Sequence, residues 1–84
     1  MRSASENIRS VLAENLRNLR RSHNLSQDDL AVKSGLHRTY IGSVERCERN
    51  VTLSTLEMLA AALGVSAPEL ISKRETPDKK SAVK

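Results

Sequence analysis

The stretch of residues 26–46, SQDDLAVKSGLHRTYIGSVER, decides the fold of this chain. Ser26 is a favoured helix N-cap, and the acidic residue three positions later can bond back to it, which satisfies free amides of the first turn. Gly35 can adopt the positive φ that a sharp turn between helices needs, because it lacks a Cβ. Apolar residues recur at helical spacing on both sides of it. The stretch therefore predicts two short helices, near 27–34 and 37–46, joined by a tight glycine turn.

The outward side of the second of these helices carries polar, short or basic side chains, namely Arg38, Thr39 and Ser43. Such side chains suit a helix that touches the edges of DNA bases rather than one that is buried on all sides. Two short helices about a tight turn, with this outward face, are the layout of a DNA-binding helix-turn-helix.

Length and composition limit the class of protein. Eighty-four residues suffice for one domain with a small core. Fourteen basic and ten acidic residues give a net charge of +4, which permits a polyanionic partner without requiring one. A single aromatic residue, Tyr40, excludes a stacking platform for single-stranded nucleic acid. No membrane span or signal peptide is visible, so we expect a cytoplasmic protein without a membrane partner.

Catalytic and metal-binding chemistry is not expected. No nucleophile with a base and an orienting group, and no phosphate-binding loop, can be assembled from the sequence. The single cysteine, Cys47, excludes an intrachain disulfide and a cysteine-based zinc site. His23 and His37 lack metal-ligand spacing and companion ligands. We therefore expect neither an enzyme nor a cofactor.

Helical periodicity continues on both sides of the central stretch. A first amphipathic helix is expected near residues 5–22, a fourth from the cap Thr52 through Leu63, and a short fifth after Ser66. The fold class is all-α, a compact five-helix domain over residues 1–72. Residues 73–84 are charged and lack apolar periodicity, which predicts a disordered tail. The predicted core consists of Leu12, Leu16, Leu19, Leu25, Leu30, Ala31, Leu36, Ile41, Val44, Leu53, Leu56, Leu59, Ala60, Leu63 and Leu70.

From about residue 12 to residue 70, the chain resembles the Cro/cI-type (XRE) helix-turn-helix family. The matching segments are LRxLR at 16–20, LSQxxLA at 25–31, GL at 35–36, Ile41, ER at 45–46 and LxTLxxLAxAL at 53–63. Within that family, HRTYI at 37–41 and ERxxRN at 45–50 look most like the small controller proteins of restriction–modification systems. The resemblance implies a lambda-repressor-like fold and a transcriptional regulator. Such a regulator binds palindromic operators in double-stranded DNA as a homodimer, with the third helix in the major groove.

The resemblance also implies roles for individual residues. Arg38 would take O6 and N7 of a guanine with its two-pronged guanidinium, and Thr39 would meet a thymine methyl group or a base acceptor. A structural ion pair is implied between Arg20 and Glu45. The residues that would contact the sugar–phosphate backbone and fix the register are Ser26, Gln27, His37, Tyr40, Arg46, Arg49, Asn50 and Thr52.

Two positions depart from the family's pattern. Cys47 stands where a glycine is usual, so the backbone there either differs or is strained. A lone cysteine is more often an inert small side chain than a redox switch. His37 replaces the usual Ser or Thr cap of the recognition helix and is a weaker cap.

The fourth predicted helix is apolar nearly all round, and a monomer core can cover only one side of it. We therefore expect a two-fold dimer interface that includes the apolar residues left over. The alternative is that alanine occurs there simply as a good helix former. The predicted interface residues are Met58, Ala61, Val65 and Ile71.

Two other functions stay open at this point. An antitoxin-like protein would bind a partner toxin and regulate its own operon. A pure interaction module would have lost DNA binding, although the intact Arg38, Arg46 and Arg49 argue against that loss. RNA polymerase or another partner protein is a further possible contact of a regulator.

Overall fold

The computed structural model of the chain describes residues 4–73, with side chains from Ile8 onward, and contains five helices and no strand in that range. The all-α prediction is confirmed. Apart from Lys73, the predicted tail lies outside the described residues. No helix in the described range has the length and apolarity to cross a membrane. The helices are α1 (Ala4–Ser22), α2 (Gln27–Ser34), α3 (Arg38–Glu45), α4 (Leu53–Leu63) and α5 (Ala67–Leu70).

Side-chain caps set the starts of three helices. The Ser26 hydroxyl accepts from the Asp29 amide at 2.9 Å, and the Asp29 carboxylate accepts from the Ser26 amide at 2.9 Å. Thr52 caps α4, and Ser66 starts α5 with a similar reciprocal box. Gly35 has φ +80°, so the turn between α2 and α3 uses the left-handed conformation expected of it. These local signals place α2 and α3 within one or two residues of their predicted bounds.

The core is formed by apolar side chains from all five helices. Leu16 of α1, Leu30 of α2, Ile41 of α3, Leu59 of α4 and Leu70 of α5 have no exposed surface. Each helix contributes to one cluster, and α3 itself packs against α1 and α2, which hold this short helix in place from its inner side. This arrangement presents the start of α3 at the surface.

Part of the predicted core is wrong. Leu53 is 80% exposed, because it is the first residue of α4 and lies to one side of the inward face that Leu56 and Leu59 define. Leu19, Leu25 and Leu36 are only partly buried against the cluster.

A buried polar residue that the sequence pattern did not reveal joins the two ends of the domain. Asn15 of α1 is 5% exposed, and its Nδ2 donates to the carbonyls of Leu70 at 2.8 Å and Ser72 at 2.9 Å. These carbonyls at the end of α5 have no partner within the helix. Asn15 therefore fastens α5 to α1.

Candidate nucleic-acid interface

The start of α3 is the exposed end of the helix-turn-helix. Arg38 and Thr39 are both exposed there, as predicted for residues that read bases. The Arg38 Nε lies 3.0 Å from Oδ1 of Asp28, in the first turn of α2, and the Arg38 side chain is still 62% exposed. The first turns of α2 and α3 therefore lie side by side and present one arginine between them.

Tyr40 and Arg49 form a second group beside that end. The Arg49 guanidinium carbon lies 5.1 Å from the centroid of the Tyr40 ring, a cation–π distance. Arg49 Nε also donates to the Ser43 hydroxyl at 3.1 Å. The loop after α3 is thereby fixed to the helix, and a positive charge is held on the same surface as Arg38.

Ser43, which was predicted to contact bases, is placed unfavourably for that role. Ser43 is only 7% exposed, and its hydroxyl donates to the Tyr40 carbonyl at 2.8 Å while it accepts from Arg49. Arg49 of the following loop lies against the hydroxyl, and this contact across six residues is not visible from helical spacing. Ser43 instead positions Arg49.

Glu45 at the end of α3 is the centre of a buried polar network. Its carboxylate accepts from Arg20 Nε at 2.7 Å, from Arg20 Nη2 at 3.0 Å and from Gln27 Nε2 at 3.0 Å. Its backbone carbonyl accepts from Arg17 at 2.6 Å. Glu45 is 4% exposed and the Arg20 side chain 12%. The ion pair implied by the resemblance is therefore present, and it joins α1 and α2 to the end of α3.

The pKa of Glu45 reflects two opposing effects. Burial raises the pKa of the carboxyl, but the hydrogen bonds from Arg20 and Gln27 and the charges of Arg20 and Arg17 outweigh burial, so the pKa is lower than usual. The group therefore stays ionised at neutral pH.

Gln27 has one amide hydrogen committed to Glu45, and its side chain is partly buried. An amide nitrogen carries two hydrogens, so a phosphate contact remains compatible with this bond. Gly42 of α3 faces the same amide: a Cβ there would lie 3.5 Å from Gln27 Oε1 and 3.2 Å from Arg46 Nη1. The glycine allows α2 and α3 to approach closely. A glycine inside a helical pattern is the sequence signal for such a close approach, and the role of Gly42 was not predicted from it.

The loop after α3 carries the other predicted backbone-contacting residues, and Arg46, Arg49, Asn50 and Thr52 are all exposed. Arg46 pairs through Nε and Nη2 with the two carboxylate oxygens of Glu48, at 3.1 and 3.2 Å. The hydrogen bonds and charge of Arg46 lower the pKa of Glu48. Neither Glu48 nor Asp28 was predicted from the sequence, because a carboxylate on a DNA-binding surface has no signal there until its arginine partner is known.

Three further predicted residues lie at helix starts or in the loop. Ser26 is exposed and its hydroxyl caps α2. His37 is the N-cap residue of α3, is exposed and makes no side-chain capping bond. Cys47 has φ +64°, so it adopts the left-handed conformation for which glycine is favoured. Cys47 therefore keeps the backbone conformation that a glycine would adopt at this position.

The candidate dimer residues divide into two kinds. Met58 and Ala61 are exposed on α4, whereas Val65 and Ile71 are partly buried against the core. Three exposed apolar residues were missed, Ile8 at 47%, Val32 at 85% and Leu53 at 80%. A shallow, mostly apolar cavity of about 230 Å³ adjoins the first and the last of these. It is lined by Ile8, Arg9, Leu12, Asn50, Val51, Leu53, Leu56 and Ile71.

Comparisons with known proteins agree with this arrangement. Residues 16–70 match the helix-turn-helix family HTH_3. Over 67 residues the chain is 63% identical to the control protein C.SmaI of Serratia marcescens, an alignment that covers 80% of each protein. The solved structure of the hypothetical transcription factor NHTF from Neisseria has 39% sequence identity to this chain. Its TM-score is 0.78 over 98% of this chain and 91% of that one. The restriction–modification controller protein C.Esp1396I, solved as a tetramer in complex with its natural 35-base-pair operator, has 36% sequence identity to this chain. Its TM-score is 0.70 over 75% of this chain and 83% of that one.

Proposed function

This chain belongs to the helix-turn-helix family, and we propose that it acts as a homodimer that reads palindromic operators through the major groove. Its relatives make it a transcriptional regulator of the controller type, not an enzyme. The family resemblance described from the sequence is thereby confirmed. The relatives are control proteins and transcription factors, so they lend no support to an antitoxin-like role.

The observation that carries the proposal is the position of Arg38 and Thr39 at the exposed start of α3, with Arg49 stacked on Tyr40 of the same turn and Arg46 exposed at the other end of the helix. A recognition helix enters the major groove by this end. Cations beside it are placed to bind phosphates on the flanks of the groove. The arrangement supports base readout by Arg38 and Thr39.

The proposed backbone contacts come from the start of α2, from α3 and from the loop that follows α3. Gln27 lies at the start of α2, where free amides and the helix dipole favour an anion. Tyr40 and Arg49 are already stacked on each other, so both reach the DNA with little loss of side-chain freedom. The full set proposed to hold the backbone is Ser26, Gln27, His37, Tyr40, Arg46, Arg49, Asn50 and Thr52.

The homodimer is supported by the operator complex of C.Esp1396I, which contains a tetramer of that protein. Two recognition helices that bind adjacent turns of one duplex must lie about 34–36 Å apart. The two subunits must therefore contact each other through surface away from α3. Met58 and Ala61 on α4 are exposed and available for that contact. We propose that these two residues, with Val65 and Ile71, form the two-fold interface.

The roles of Arg38 and Arg49 can be separated by selecting preferred sites from randomised duplex DNA and measuring the affinities of two variants. Arg38→Ala is expected to lose about 1–3 kcal/mol per half-site and to relax the preference at one base position. Arg49→Ala is expected to weaken binding evenly across sequences, because a phosphate contact carries no sequence information. Loss of affinity in both variants without any change in preference would contradict base readout by Arg38.

Salt provides an independent measurement. A dimer that binds several phosphates releases as many counterions, so affinity should fall by orders of magnitude between about 50 and 200 mM salt. Binding that is insensitive to salt, or that prefers single strands, would contradict the proposed function.

A further inference from the structure

Two of the three arginines on the proposed recognition surface, Arg38 and Arg46, are paired with carboxylates. Three ion pairs occur between residues 8 and 73, and the one between Arg20 and Glu45 is the only buried one. The other two join Arg38 to Asp28 and Arg46 to Glu48, on the surface proposed to meet DNA. Exposed ion pairs contribute little to stability, so stabilisation of the fold gives a poor account of them.

The charge of the chain has the same distribution. Residues 26–50 contain four basic and four acidic side chains, whose charges cancel, so the net charge of +4 lies entirely outside the helix-turn-helix and its loop. A surface selected only to attract phosphates would be basic. Of the four acidic residues, Glu45 is buried in its pair with Arg20 and Asp29 caps α2, so Asp28 and Glu48 are the two whose role on this surface is left to explain.

The geometry of the Arg38 pair suggests that purpose. Oδ1 of Asp28 lies 3.0 Å from Nε, on the side of the guanidinium, as an ion pair. A two-pronged contact to guanine O6 and N7 requires two parallel donors, which the terminal nitrogens Nη1 and Nη2 supply. A pair made through Nε is therefore compatible with the guanine contact and limits the directions in which the arginine can point.

We propose that Asp28 is a specificity-determining positioning residue, which holds Arg38 by Nε so that its two terminal nitrogens face a guanine. This proposal rests on the proposed function. At an operator, the pair reduces the side-chain freedom that Arg38 has to lose, which saves part of the entropy of fixing it. On other sequences, the same restraint and the charge of Asp28 disfavour a turn of Arg38 toward a phosphate. Asp28 thus strengthens operator binding and weakens binding to random DNA.

The Arg46 pair is different and supplies a contrast. Glu48 binds both Nε and Nη2 of Arg46, so it competes with a phosphate for the same donors. A phosphate contact has no base preference. Removal of the Glu48 charge should therefore strengthen binding to every sequence by the same factor.

The test compares affinities of the full chain for its selected operator and for a random duplex of equal length, at one salt concentration. Asp28→Asn is expected to reduce the ratio of the two affinities about three- to tenfold, the effect of freeing one long side chain. Asp28→Glu keeps the charge and should retain most of the ratio. Glu48→Gln should raise both affinities and leave the ratio unchanged. Glu14→Gln, on the exposed side of α1, is the control for the loss of one negative charge.

A second arm tests whether Asp28 acts through Arg38. In the background of Arg38→Ala, Asp28→Asn should no longer change the ratio, because the side chain that it positions is absent. Circular dichroism at the assay temperature checks that every variant is folded. A wild-type ratio in Asp28→Asn, or an equal fall with and without Arg38, would overturn the proposal. A wild-type protein that does not distinguish operator from random duplex would instead contradict the proposed function itself.

Discussion

Glu45 is the residue on which the position of the recognition helix depends most. It receives hydrogen bonds from α1 and α2 while it lies at the end of α3. The change Glu45→Gln keeps its size but leaves the nearly buried Arg20 without a charge partner. We expect a loss of about 3 kcal/mol in the free energy of unfolding, as for other broken buried pairs. Denaturant unfolding measures it, with Glu14→Gln as the exposed control. Equal stabilities of the two variants would contradict the role given to Glu45.

The same residue predicts a pH dependence. Because the pKa of Glu45 is lower in the folded protein than its usual value of 4.5, the ionised form stabilises the fold above that pH. This stability is lost as the pH falls below 4.5 through the folded pKa. The difference in unfolding free energy between wild type and Glu45→Gln should therefore shrink in acid. A difference that stayed constant down to about pH 2 would argue against the ionised pair.

Cys47 is strained in a way that glycine would relieve. An L-residue in the left-handed conformation costs about 1–2 kcal/mol, part of which glycine returns through greater freedom in the unfolded chain. We expect Cys47→Gly to raise the unfolding free energy by about 0.5–1 kcal/mol. Cys47→Ala, which removes the thiol but keeps the Cβ, should show no such gain. Stabilisation by both changes would assign the effect to the sulfur and not to the backbone.

Individual residues were predicted well where their role is local. The caps Ser26 and Thr52 and the turn at Gly35 depend on neighbours in the sequence, and their roles were visible there. The burial of Ser43 was not predicted because it depends on a tertiary contact, that of Arg49 from the loop after α3. Asn15 was missed for the same reason: a polar residue in an amphipathic helix is expected outside unless its partners are known.

The third helix begins without the cap that the second and fourth have. The His37 side chain makes no capping bond, whereas Ser26 and Thr52 each accept an amide. His37→Ser should therefore stabilise the protein by about 0.5–1 kcal/mol, measured by thermal or denaturant unfolding. The reverse change at α2, Ser26→Ala, should destabilise it by about 1 kcal/mol. No gain from His37→Ser would mean that another interaction already satisfies the amides of that turn.

Helix positions followed from the sequence more reliably than helix contacts. The bounds of α2 and α4 agree with the prediction, since capping residues mark them. Leu53 was wrongly placed in the core because an apolar side chain is buried only where another part of the chain covers that side of the helix. Which side of a helix is covered depends on the angles between helices, and spacing along the chain does not contain that information.

For the whole molecule, the dimer is the prediction that matters most. Ala61 is exposed on α4, so Ala61→Glu should leave helical circular dichroism nearly unchanged. In a two-fold interface the new charge would occur twice, opposite itself or beside a desolvated neighbour. We expect a shift toward monomer in sedimentation and a sharp fall in operator affinity. Asn18→Glu, which adds the same charge on exposed α1, should leave the dimer intact. An unchanged dimer in Ala61→Glu would exclude the proposed interface.

The link from Asn15 to the end of α5 also affects how the protein is made. The carbonyls that accept from Asn15 belong to Leu70 and Ser72, 55 and 57 residues later in the chain. A ribosome therefore releases α1 long before its buried amide has a partner, and burying that amide alone costs about 1–3 kcal/mol. Early docking of α1 is penalised until translation has passed Ser72. Nascent chains arrested before that residue should thus be more sensitive to proteases than full-length chains.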